Sequence, residues 1–102
     1  MNPSVPPVDL PADVAALLAR ADADCAAAND CVRAACERGV RRGAALMRAA
    51  TALRERAQVW RALASHYERA LELGIEARAC LAAEEARDAA QLDALIRREL
   101  RR

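Results

Sequence analysis

The chain has no lysine, no phenylalanine, one tryptophan, one tyrosine, one histidine and three glycines in 102 residues. With aromatics at 2%, a β-sandwich or barrel is excluded, because those folds draw on aromatic and β-branched runs with frequent turns. A single histidine, His66, permits no Ser/His/Asp or Cys/His arrangement with supporting spacing. There is no Glu-x-x-His pair either, so Glu84, Glu85 and Asp88 do not make a ferritin-like di-iron site and read as a solvated face. Gly39, Gly43 and Gly74 are too scattered to form a phosphate loop. No enzyme and no cofactor is expected. No apolar run approaches the ~18 residues of a membrane-spanning helix. The segment Met1–Pro7 lacks the basic and apolar regions of a signal peptide. A cytoplasmic protein with four reduced cysteines follows as the expectation. Charge of one sign is also lacking: 16 basic against 15 acidic residues leave +1, so bulk charge predicts neither a membrane nor a nucleic-acid partner.

What remains is a set of helix formers: 28 Ala, 16 Arg and 12 Leu. Hydrophobic residues at 55% exclude disorder of the whole chain. Arginine without lysine, and so much alanine, is the usage of a GC-rich, bacterial genome. The expected fold is all-α. Residues 1–10, with Pro3, Pro6 and Pro7, form a disordered N-terminal segment, and residues 11–102 a single helical domain. Pro3-Ser4-Val5-Pro6 fits a P-x-x-P pattern, a cheap match among so many prolines.

Three helices follow from the spacing. Pro11 and Asp13 suit a first turn, and helix 1 is expected over 11–38 with the stripe Val14, Leu18, Ala21, Cys25, Ala28, Val32 and Ala35. Gly39 fits the position just past its end. Helix 2, over 43–73, carries Leu46, Ala50, Leu53, Ala57, Trp60, Ala64, Tyr67 and Leu71 at steps of four and three. Val59, Leu63 and Ala70 widen this stripe until it must meet two neighbours, so helix 2 is expected at the centre. Gly74 stops it, and helix 3 runs over 75–100. Each helix is ~40 Å long at 1.5 Å per residue. Short turns then give an antiparallel up-down-up bundle, or coiled-coil-like hairpin, with an Ala-rich seam.

Charge alternates along this plan: −4 over 9–37, +6 over 38–61, −4 over 62–95 and +3 over 96–102. An antiparallel fold lays the basic start of helix 2 beside the end of helix 1, which helps to choose register. The core is thin, with only 20 large apolar or aromatic side chains after residue 10. Burial on that scale is marginal for a free-standing domain. A homo-oligomer or a helical protein partner is therefore expected to complete it.

Cys25, Cys31 and Cys36 are spaced by six and five on helix 1, and Cys80 lies on helix 3. Metal pairs on one helix need steps of three or four, so small packed thiols are the plainer reading. Trp60-x2-Leu63-Ala64-x2-Tyr67 resembles the opening of a tetratricopeptide repeat. The resemblance spans one helix, and neither the rest of that pattern nor a 34-residue period is present. Ordinary core aromatics are expected instead.

The expected function is a non-catalytic helical protein–protein interaction module: an adaptor, assembly factor or small chaperone. Leu46, Leu53, Trp60, Leu63, Tyr67 and Leu71 form its interface or core stripe, with Trp60 and Tyr67 as hot spots. Two alternatives remain open: a nucleic-acid-binding regulator using the Arg38–Arg61 cluster, whose basic patch is Arg38, Arg41, Arg42 and Arg48, and a cysteine-based metal or redox sensor.

Overall fold

A computed structural model describes the backbone of residues 10–102 and the side chains of 13–69 and 74–102. The disordered segment expected over 1–10 lies outside the described residues, except Leu10, which is already helical. The architecture is three helices in the order α1 (Leu10–Glu37), α2 (Val40–Glu68) and α3 (Ala70–Leu100). No strand occurs among the described residues.

The ends of the elements follow from local chemistry, with two corrections. Pro11 sits in the first turn of α1, where its missing N–H is not needed, and Asp13 faces the positive end of the helix dipole. Gly39 is not a left-handed stop for α1. It is the extended N-cap of α2, with φ −66° and ψ 167°. Its carbonyl accepts the Gly43 N–H at 2.8 Å, so α2 begins at Val40, three residues before the expected start. Gly43 is helical, and the reason for glycine there is close approach: a Cβ would lie 3.1 Å from the Ala35 carbonyl oxygen of α1. At the other end, regular α2 geometry stops at Glu68 instead of Leu73, with Arg69 at φ −97° and ψ 20°. The helical stretch from Ala70 is broken at Gly74, whose φ of 76° and ψ of 166° suit only glycine. The ion pairs Arg48–Glu99, Arg56–Asp93 and His66–Glu85 step in opposite directions along α2 and α3. Their midpoints fall at Gly74 and its neighbours, so the chain reverses where the sequence places the turn.

Helix α2 is central. Helices α1 and α3 each pack on it, and among the described residues no Cα of α1 comes within 8 Å of one in α3. The bundle is therefore an open V with α2 at its apex. The buried face of α1 runs through Leu17, Ala21, Asp24 and Ala28, while Leu18 is 42% exposed and Cys25 half-buried. The buried face keeps Ala21 and Ala28 but is turned by roughly 40° from the expected stripe, at 100° per residue, which brings the Asp24 carboxylate onto α2.

The core is as thin as the composition implies. Of the 14 buried apolar residues among those described, only Leu17, Leu46, Leu53, Leu63 and Ile96 are larger than alanine. Two clusters divide it. One joins Ala28, Ala50, Ala52, Leu53 and Ile96, with Cys31, Val32, Leu92 and Leu95 against them. The other holds only Leu17, Leu63 and Ala64, flanked by Val14, Trp60, Tyr67 and Ala82.

Candidate functional site

The mouth of the V is filled at one end and open at the other. At the open end a groove of about 490 Å³ runs between α1 and α3 over α2. Trp60, Leu63 and Tyr67 form its floor, Arg20 of α1 one rim, and Ala82, Ala86, Ala89 and Ala90 of α3 the other wall. The cause is local: α3 turns alanines toward a space that larger side chains fill near Ile96. A second hollow of about 240 Å³, beside Asp13 and Ala16, shares Arg20, Leu63 and Tyr67 with it. Both aromatic residues of the chain are half-buried here. The Arg20 guanidinium lies 5.3 Å from the Trp60 ring centroid, in cation–π range.

A polar network closes the groove's inner end and ties all three helices. Asp24, with 10% of its side chain exposed, accepts from Arg56 through Nε at 3.0 Å and Nη2 at 2.8 Å. The Trp60 indole N–H donates to the same carboxylate at 2.9 Å. Arg56 turns its remaining nitrogen, Nη1, to Asp93 of α3 at 2.7 Å, and Arg97 holds the other Asp93 oxygen at 2.7 Å. One guanidinium between two carboxylates is a charge-assisted clamp with fixed geometry. Its hydrogen bond with Asp24 is the main reason that the Arg56 pKa rises above its ordinary value, with burial opposing. Asp24 and Asp93 did not stand out in the sequence, and Arg56 did so only as one arginine of the Arg38–Arg61 cluster. The signal was available: Asp24 continues the spacing Leu17, Ala21, Ala28, so a carboxylate falls at a core position and calls for a partner.

The expected stripe divides in two. Leu46, Leu53 and Leu63 are buried within the chain, so they are core. Trp60 and Tyr67 remain accessible, and the side chain of Leu71 lies outside the described residues. The basic patch divides as well. Arg48 donates to Glu99, itself only 2% exposed, at 3.0 Å. Arg42 donates to the carbonyls of Leu100 (2.9 Å) and Arg102, capping the end of α3. Arg38 and Arg41 stay exposed. Cys25 and Cys31 are half-buried, Cys36 and Cys80 exposed, all four are free thiols, and no cluster of metal-ligating side chains forms among the described residues. Burial pushes the Cys31 thiol above its ordinary pKa, aided by Asp30 and opposed by Arg42. His66 is half-buried with Nε2 3.9 Å from Glu85 Oε1. Burial raises the Glu85 pKa, Asp88 and Glu84 add to the rise, and His66 opposes it.

The fold and groove define a small three-helix protein with an incompletely closed core. None of its described helices is long and apolar enough to cross a membrane. No protein-family model, curated protein or solved structure matches the chain.

Proposed function

We propose that the protein is a non-catalytic assembly module that completes its core by helix docking, and that the occupant is a second copy of the chain. One observation carries this reading. Along α3, Glu76, Ala79, Ala83, Ala86, Ala90, Ala94 and Arg97 lie on one face at helical spacing, and all are exposed. Alanines let two helix axes approach to ~8 Å. The stripe begins with an acid and ends with a base, and its centre falls at Ala86. Two such helices packed antiparallel about a twofold axis bring each Glu76 to the other copy's Arg97, the self-complementarity of an isologous interface. Ala86 and Ala90 also belong to the groove wall, so the same contact covers Trp60 and Tyr67.

The experiment is light scattering against concentration, with and without reductant, with Trp60 emission recorded alongside. The expected result is a mass twice the 11.0 kDa of the chain and a blue shift of the sole tryptophan. Ala86→Glu, a surface change to the monomer, should return the mass to 11.0 kDa with helicity unchanged. A wild-type chain that stays monomeric at every concentration overturns the reading. A dimer that reductant abolishes assigns the association to the exposed Cys36 or Cys80 instead.

A further inference from the structure

The second feature of the surface is electrostatic and independent of the groove. The Arg42 contacts with the last carbonyls of α3 place the end of α3 beside the first turn of α2. Two basic segments far apart in sequence thereby meet. Residues 37–48 and 97–102 hold eight arginines and two acids, a net +6 that leaves −5 on the rest of the chain. The +1 of the whole protein hides this polarity.

Internal bonds account for only part of it. Arg42 caps α3, Arg48 occupies the Glu99 carboxylate, and Arg97 pairs with Asp93. Arg98 and Arg102 stand 3.7 and 3.8 Å from that same Glu99, which already serves Arg48. Arg38, Arg41 and Arg101 have no acid within ion-pair distance among the described residues, and all five of these guanidinia are exposed. Helix C-termini favour cations, which explains a base or two near each end, but not five around one pole. Guanidinium groups fit phosphate oxygens in bidentate fashion. Both aromatics lie in the other half of the molecule, so base stacking has no platform here and recognition falls on the backbone alone. The exposed apolar side chains at this end, Val40 at 93%, Met47 at 44% and Leu100 at 41%, are too few to anchor the pole in a bilayer.

We infer that this pole binds the phosphate backbone of a nucleic-acid duplex without reading its sequence. The test is fluorescence anisotropy with a 20-bp duplex of arbitrary sequence. Five phosphate contacts predict a slope of log affinity on log salt of about −4.5, and a loss of about 500-fold between 50 and 200 mM salt. The triple variant Arg38→Gln, Arg41→Gln, Arg101→Gln should flatten the slope by about three, equally for unrelated duplexes. Arg87→Gln, in the other half, should leave it unchanged, and circular dichroism confirms that each variant folds. Absence of binding at 50 mM salt overturns the inference, as does binding that the triple variant retains. Binding to phosphatidylserine vesicles without binding to duplex also overturns it, in favour of a membrane surface.

Discussion

The two halves of the V are built from the same kind of helix and end differently. In the closed half, α3 turns Leu92, Leu95 and Ile96 toward Ala28, Ala50 and Leu53, and Glu99 is sealed beneath Arg48. In the open half, α3 turns Ala82, Ala86 and Ala89 toward Trp60, Leu63 and Tyr67, and a groove remains. The difference lies in side-chain volume on one helix, since α2 presents large residues to both. Apolar packing therefore holds the closed half, with the Arg48–Glu99 pair and the Arg42 cap on α3 at its far end. The open half depends on the Asp24–Arg56–Asp93 clamp at its inner end.

That dependence gives the largest expected effect. Asp24→Ala leaves the Arg56 guanidinium and the Trp60 N–H without their main acceptor. Breaking a buried pair from one side costs about 3–5 kcal/mol, a large share of the stability of a small domain. The variant should melt far below the wild type, or fail to fold. Removing both charges with a packed replacement, Asp24→Leu with Arg56→Met, should recover much of the loss. A double variant as unstable as the single one would show that the clamp stabilises through more than charge satisfaction.

The next effect sharpens the contrast directly. Ile96→Ala empties a filled site and should destabilise by about 2–4 kcal/mol in denaturant titration. Ala86→Leu adds volume where space exists, and should change stability by less than about 1 kcal/mol. Equal losses from the two would mean that the groove closes in solution and that the halves do not differ.

The number of helices, the centrality of α2 and the turn at Gly74 were legible because apolar spacing and breakers act locally. The thin core was legible by counting. The rotation of α1 was not, because Leu17 and Leu18 fit an apolar stripe equally well, and only Asp24 facing Arg56 decides between them. Gly43 misled for a similar reason. Two glycines four residues apart look like one turn, but one opens α2 and the other admits α1. Of the candidate site, Trp60 and Tyr67 stood out by rarity. The groove beside them depends on what α3 fails to fill, and no single residue signals that. The basic patch was read along the sequence, whereas the fold pairs part of it internally and adds the end of α3.

The smallest effect concerns the only histidine, again in the open half. Burial raises the folded-state pKa of Glu85, with Asp88 and Glu84 adding and His66 opposing. A carboxyl with a raised folded pKa binds its proton more tightly folded than unfolded. In the window between the ordinary value near 4.5 and the raised one, the native state therefore holds more protons, and stability falls as pH rises. Above that window the penalty is constant, and below the ordinary value it vanishes. Glu85→Gln removes the titration, so thermal melts should show the variant gaining on the wild type as pH rises through the window and holding that gain at neutral pH. Parallel melting curves at every pH would show that the His66 contact at 3.9 Å offsets the burial in full.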